Sequence, residues 1–246
     1  LFPNILFKVK TGVNRYPGDP NYDLFQLALK VLSVRMFPTI VNMDSSFNAP
    51  YGKEVSYMGC RTRIASNVNG PEVANGRGNI AFVTINLPYL ALEAQGNVDT
   101  FFDKLHETMQ LCERQLIHRY NILRNLRRKD VPMNMQGLWL NSKYRPGDET
   151  IEESLKNGTL AFGYIGIYET LMELMGKGQH EDPAAQELGL KIAKFMADYA
   201  KECTEKYHLN FSVIATPAES ACHTLLKATR RAFGVVCLLY TSDAAD

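Results

Sequence analysis

Three stretches of this 246-residue chain combine side chains able to do chemistry with the flexibility or strand-end setting that chemistry needs. In Tyr57-Met-Gly-Cys60-Arg-Thr-Arg63 a cysteine follows a glycine and stands among cations, which favour a thiolate or hold an anion. By itself that pattern also describes an ordinary loop cysteine. In Thr84-Ile-Asn86-Leu-Pro88 the Asn86 amide is able to hydrogen-bond a hydroxyl or a carboxylate from the rim of a pocket, or simply to close a turn. In Ala215-Thr-Pro-Ala-Glu219-Ser220 a carboxylate follows an apolar run, where it suits a general base facing a cleft. The same glutamate equally suits the exposed first turn of a helix, with Pro217 ahead of it.

These residues need elements to hold them. Hydrophobic periodicity predicts a helix over residues 22–36, with Leu24, Leu27, Ala28, Val31, Leu32 and Val34 as its apolar positions, and then an extended run over 37–43. Residues 48–78, rich in Gly, Asn and Pro, read as loop. Residues 79–87 are apolar and β-branched and stop at Pro88, the pattern of a buried strand. A long amphipathic helix is predicted over 99–128, because Phe101, Leu105, Met109, Cys112, Leu116, Tyr120, Leu123 and Leu126 recur near the helical period. A short helix near 149–156 ends at Asn157-Gly158, and the apolar segment 160–167 leads as a strand into a helix over 168–175. Asp182-Pro183 supplies a capping side chain and a first-turn proline for another long helix ending near His208, after which 210–215 reads as a strand. Strands alternating with helices mark an α/β architecture with mostly parallel strands, in which functional groups collect on loops at strand ends.

Composition narrows the function classes. With 27 Lys+Arg against 26 Asp+Glu, the net charge of +1 provides no whole-chain field for nucleic acid or an anionic membrane, so any anionic ligand must be met locally. The basic run Arg124, Arg127, Arg128 and Lys129 is such a place, although cations near a helix C-terminus are favoured by the dipole regardless. No apolar run reaches the roughly 20 residues that span a bilayer, and a cytoplasmic setting is the default expectation. Cys60, Cys112, Cys203, Cys222 and Cys237 are scattered without a paired spacing and read as reduced thiols. The five histidines, His223 among them, show no metal-ligand spacing, and no metal is expected. Residue 1 is Leu and opens directly in an apolar run, so a preceding segment is expected; residues 237–246 resemble a translated sequencing-adapter tail and are expected to be non-native.

Several pieces together go beyond pattern. Leu1-Phe-Pro-Asn-Ile-Leu-Phe-Lys-Val-Lys10, Met58-Gly-Cys60-Arg-Thr-Arg63, Gly78-Asn79 followed by Thr84-Ile-Asn86-Leu-Pro88, Leu155-Lys-Asn-Gly-Thr-Leu160 with Gly163-Tyr-Ile-Gly166, and Thr216-Pro-Ala-Glu219 stand in this order along the chain. So arranged, the chain resembles the catalytic subunit of the anaerobic, class III ribonucleotide reductases, a family of glycyl radical enzymes. Tyr89 departs from the family pattern, which has a basic residue after Asn-Leu-Pro.

The resemblance implies a ten-stranded α/β barrel of two parallel halves, of which residues 1–236 form part, with a central loop presenting Cys60. It implies that a glycyl radical, on a part of the protein outside this chain and made by a separate radical-SAM activating enzyme, oxidises Cys60 to a thiyl radical. That radical takes hydrogen from the ribose 3′-carbon of a ribonucleoside triphosphate. Glu219 would accept the 3′-hydroxyl proton as general base, and Asn86 would orient substrate or a small reductant, with Asn79 a second candidate for that role. Substrate phosphates would meet the turn entering the last helix, with Thr216, Ser220 and Ala221 as candidates. Formate is the implied reductant, and the product is a deoxyribonucleotide for DNA replication. ATP or dNTP effector sites, a structural zinc and a homodimer interface belong to the full-length protein, and the piece is not expected to be active alone. Two other readings stand beside this one. The first is an inactive nucleotide-binding remnant; the second is another glycyl radical enzyme such as a formate-lyase-like acyltransferase, which typically presents adjacent cysteines, whereas Cys60 has none beside it.

Overall fold

The computed structural model describes residues 5–35, 37–49, 55–58, 62–64, 66–217 and 219–235, with the backbone alone for residues 56, 58, 62, 219 and 220. The chain divides into two compact units, Leu1–Gly78 and Asn79–Asp246.

In the first unit, β1 (Leu6–Val9) and β2 (Thr39–Asn42) pair in parallel around the connecting helix α1 (Tyr22–Leu32). Val41, Met43 and Val55 form its small core, with Leu6 and Tyr57 against them. Helix α1 is shorter than its periodicity predicts, and Leu24 and Leu27 are exposed while Ala28 is buried. Residues 48–78 are not all loop. Two three-residue strands, β3 (Ser56–Met58) and β4 (Thr62–Ile64), pair antiparallel with Tyr57 opposite Arg63. Strands this short carry too few alternations to register as a period.

The second unit holds three parallel strands in the order β5 (Asn79–Asn86), β6 (Thr159–Ile165) and β7 (Asn210–Ala215). Each crossover is helical, as parallel pairing demands. Helices α2 (Leu87–Ala94) and α3 (Val98–Leu123) join β5 to β6, followed by the single turns α4 (Pro132–Met135) and α5 (Glu152–Leu155). Helices α6 (Ile167–Met175) and α7 (Pro183–Tyr207) join β6 to β7, and α8 (Glu219–Phe233) follows. The predicted strand over 79–87 ends one residue early, and α2 is an element that periodicity did not reveal. Pro88 opens this helix, at a position where its missing N–H leaves nothing unpaired.

One face of the sheet and the helix layer share one core. Phe101, Leu105, Met109 and Leu116 of α3, Ile192 and Met196 of α7, and Leu160 and Phe162 of β6 are fully buried in it. Each contributes about 2 kcal/mol by leaving water, so packing rather than intrinsic propensity holds these helices. Phe162 stacks on Phe211 at 5.7 Å and meets Tyr199 edge-on at 5.8 Å, linking β6, β7 and α7. Asn97 caps α3 by accepting from the Thr100 N–H at 2.9 Å, and Asp182 caps α7 by accepting from Ala184 at 2.7 Å. The predicted helix over 99–128 stops at Leu123, and Leu126 is exposed. No helix among the described residues is long and apolar enough to cross a membrane.

A single carboxylate ties the two long helices together. Glu113 is buried on α3 and accepts hydrogen bonds from the Tyr199 hydroxyl, from the Tyr207 hydroxyl at 2.6 Å and from Lys206 Nζ at 2.7 Å, all on α7. Burial by itself would raise this carboxyl, but the donors from Lys206, Tyr199 and Tyr207 outweigh it and hold it at about 2. Glu113→Ala is expected to lower stability by about 3 kcal/mol at neutral pH. Because the folded value lies below the ordinary 4.5, this stabilisation is complete above pH 4.5 and is lost as pH falls towards 2. Urea denaturation of both proteins across that window checks this: the gap between them should close on acidification, and a constant gap refutes the assignment.

Candidate functional site

Parallel strands bring their C-terminal ends to one edge, and there the sheet sets Asn86 of β5 beside Ile165 of β6, while the Thr216 N–H extends the ladder by bonding the Tyr164 carbonyl at 3.0 Å. Side chains alternate along a strand, so Thr84 and Asn86 share one face of β5, away from buried Ile85. On that face the Thr84 and Thr216 hydroxyls lie 3.0 Å apart although a whole strand separates β5 from β7. They meet over Gly163. A Cβ at this glycine would stand 2.2 Å from Thr216 Oγ1, closer than real contacts come, and a tight 3.1 Å from Thr84 Oγ1. Thr216 is buried, so its hydroxyl is turned inward to the sheet. Gly166, at the end of β6, has φ +80°, and a Cβ there would strike Pro88 at 2.4 Å, so a second glycine lets the strand end close on α2.

Asn86 reaches α8. Its Nδ2 donates to Thr229 Oγ1 at 3.0 Å and lies 3.5 Å from the Leu225 carbonyl, while Thr229 itself donates to that carbonyl at 3.0 Å. Among the described residues nothing donates to Asn86 Oδ1, which leaves an acceptor at the strand end. Tyr89 packs edge-on against Phe233 at 5.1 Å, so the position where a basic residue is expected serves the contact between α2 and α8. Glu219 is the first residue of α8 and Ala221 is in its first turn, while the side chains of Glu219 and Ser220 lie outside the described set.

Asn79 is elsewhere. It begins β5, roughly 23 Å from Asn86 at the usual rise per residue. Its Oδ1 is buried without a partner among the described residues, and it lines a cavity of about 530 Å³ with Phe82, Arg119, Ile122 and Leu123. The structure therefore sets Asn86 and Thr216 at one sheet edge, ties Asn86 to α8 at Leu225 and Thr229, and leaves Asn79 at the other end of β5.

Cys60 falls between β3 and β4 in sequence, outside the described residues. The preceding strand is anchored, since the Tyr57 hydroxyl donates to Asn48 Oδ1 at 3.1 Å and Asn48 Nδ2 donates to the Asn42 carbonyl at 2.8 Å. Arg63 sits 3.9 Å over the Phe47 ring and donates to the Phe47 carbonyl at 2.9 Å. Burial pushes the thiols of Cys112 and Cys203 up to about 11 and about 12, which makes them core residues rather than nucleophiles.

The basic run past α3 has structural duties, and because the helix stops at Leu123 they do not arise in its last turn. Arg128 is buried and donates to Asn134 Oδ1 at 2.6 Å and to the carbonyls of Asn134, Ser142 and Pro146. Arg124 pairs with Glu152 at 3.1 Å and Lys129 with Asp148 at 3.0 Å, while Arg127 bonds the Asp148 carbonyl. Among the described residues no group of three or more His, Cys, Asp or Glu is placed to hold a metal. The residues that sequence reasoning gave no role are Thr84, Gly163 and Thr229. The two-residue spacing of Thr84 and Asn86 was a usable signal for the first, whereas nothing local marks Thr229.

Comparison with known proteins bears on this arrangement. A family model described as anaerobic ribonucleoside-triphosphate reductase matches residues 1–245. The chain is 34% identical over 247 residues to the anaerobic ribonucleoside-triphosphate reductase of Haemophilus influenzae, covering 96% of this chain and 34% of that protein. It is 33% identical to the Escherichia coli protein of that name, with the same coverage, and 35% identical to that of Enterobacteria phage T4, over 96% of this chain and 39% of the other. The chain thus spans little more than a third of its curated relatives. Among solved structures, the anaerobic ribonucleotide reductase from Thermotoga maritima with citrate in the active site aligns with a TM-score of 0.65 at 18% identity, covering 95% of this chain and 39% of that one. The form of that protein in complex with dATP and CTP aligns at 0.63 and 20%, covering 95% and 36%. At this identity the likeness establishes the fold: an α/β arrangement that is part of a barrel-type architecture.

Removing the Asn86 amide tests its hold on α8. In Asn86→Ala, backbone amides of α8 should exchange about fivefold faster, the effect of one lost hydrogen bond, with α7 unchanged. Equal exchange in both proteins would show that α8 is held by other contacts.

Proposed function

The chain belongs to the anaerobic ribonucleoside-triphosphate reductase family, and on that premise we propose that it is the substrate-transforming portion of an enzyme that converts ribonucleoside triphosphates to deoxyribonucleoside triphosphates. The observation that carries the reading is the family match over residues 1–245, a span that includes Cys60, Asn86 and Glu219, the residues proposed here for the chemistry.

In this reading a glycyl radical, on a part of the protein outside this chain, supplies the one-electron oxidation of the Cys60 thiol. Sulfur suits the task because a thiyl radical exchanges hydrogen reversibly with a ribose carbon, which a hydroxyl does not do readily. The Cys60 sulfur takes the 3′-hydrogen atom, and Glu219 takes the 3′-hydroxyl proton as the 2′-hydroxyl leaves as water. Asn86, with Nδ2 engaged by Thr229, offers Oδ1 to a substrate hydroxyl. Formate supplies two electrons and a proton is taken up, so that carbon dioxide and water accompany the deoxynucleotide and Cys60 regains its hydrogen. The N-terminal turn of α8, with Ser220 and Ala221, is suited to meet the substrate phosphates. A radical-SAM activating enzyme and a homodimeric full-length protein complete the proposal.

The test restores the chain to its full-length gene, activates the protein anaerobically and measures formate-dependent reduction of a ribonucleoside triphosphate. Cys60→Ser is expected to abolish turnover while the glycyl radical signal persists. Turnover surviving in that variant would remove Cys60 from the mechanism. A wild-type protein with a full radical signal and no reduction would point to another glycyl radical chemistry.

A further inference from the structure

The close approach of β5, β6 and β7 over Gly163 has no counterpart in the roles proposed so far. Thr84 lies on β5 and Thr216 directly follows β7, strands that are not neighbours, yet their hydroxyls are 3.0 Å apart. Adjacent strands lie about 4.8 Å apart, so two such intervals must be crossed by two short side chains leaning towards each other above the middle strand. Only a residue without Cβ leaves room, and Gly163 is that residue, with its hypothetical Cβ 2.2 Å from Thr216 Oγ1 and 3.3 Å from the Val83 carbonyl. Either hydroxyl is able to donate to the other, so one hydrogen bond links the two residues inside the sheet. Thr216 is 5% exposed and its N–H is bonded to Tyr164, so the residue is fixed at main chain and side chain alike. Three residues later Glu219 begins α8. The same face of β5 holds α8 a second time, through Asn86 and Thr229.

We propose that Thr84 and Gly163 are positioning residues: the Thr84–Thr216 hydroxyl bridge over Gly163 fixes where the chain leaves β7 and thereby places Glu219 and the N-terminal turn of α8. The Thr216 side chain is the inner half of this clamp and not a phosphate ligand. The inference rests on the reductase reading for what the clamp serves, but the clamp itself is a property of the sheet. A misplacement of about 1 Å at a reacting group costs up to about a hundredfold in rate, so a modest loosening here reaches turnover.

The experiment uses the activated full-length protein and four variants: Thr84→Val, Thr216→Val, the double variant, and Thr84→Ser. Each valine keeps volume and removes the hydroxyl, whereas the serine keeps it. Each single valine should lower kcat at least tenfold with KM for the ribonucleoside triphosphate and glycyl radical content unchanged. The double variant should be no worse than either single, because both remove one bond. Thr84→Ser should restore most of the rate. A KM that rises in Thr216→Val alone would make Thr216 a phosphate ligand and overturn the proposal. So would additive losses, or unaltered kcat in Thr84→Val. Hydrogen exchange of the segment 214–222, measured on the same full-length proteins, separates the clamp from the chemistry. Faster exchange in Thr84→Val, reversed in Thr84→Ser, is expected whether or not the wild type reduces ribonucleotides, and unchanged exchange overturns the clamp. An inactive wild type with a full radical signal would instead count against the reductase reading.

Discussion

Hydrogen bonding in a parallel ladder sends every strand out of the sheet at the same edge, and each must be followed by a helix long enough to return the chain to the other edge. In the second unit that requirement accounts for both the core and the site. The return helices α3 and α7 cover one face of β5, β6 and β7, and their apolar stripes bury Leu160 and Phe162 of the central strand. The opposite face is left with Thr84, Gly163 and Asn86, and the common edge gathers the ends of segments far apart in the chain. Glu113 joins the two return helices to each other, so the layer behind the sheet is braced independently of the edge in front of it.

Much of this architecture was legible in the sequence because its signals are periodic. The stripe from Phe101 to Tyr120 gave α3, Asp182-Pro183 gave the start of α7, and residues 210–215 gave β7 to the residue. The failures are informative. Leu123 and Leu126 continue the apolar spacing, yet α3 stops at Leu123, and a few residues beyond it Arg128 enters the interior. Helix α2 was missed because Leu87-Pro88 looked like the end of a strand, whereas a proline tolerated at a helix start marks a change of element rather than a stop. The antiparallel pair of β3 and β4 has three residues in each strand, too few alternations to register as a period.

The site was legible in part. Asn86 and Thr216 were recognisable from their strand-end positions, and the structure sets them at one edge. Asn79 shared a residue type and a strand with Asn86, and the strand predicted over 79–87 already put the two at opposite ends, as the structure does. Thr84 and Gly163 stood in the segments singled out but were given no role. Their meaning lies in a contact among three strands spread over more than a hundred residues, and a threonine or a glycine in a strand has no distinctive local signature.

Arg128 has a further consequence. Its guanidinium is surrounded by neutral oxygens, from the Asn134 side chain and from the Asn134, Ser142 and Pro146 carbonyls, with no carboxylate among these acceptors. The loop from Arg128 to Pro146 is thus wrapped about its own cation much as a chelate ring closes on a metal ion, with amide dipoles serving as ligands. The shape of this loop is therefore set by a coordination sphere of neutral dipoles, in contrast to the carboxylate junction between α3 and α7.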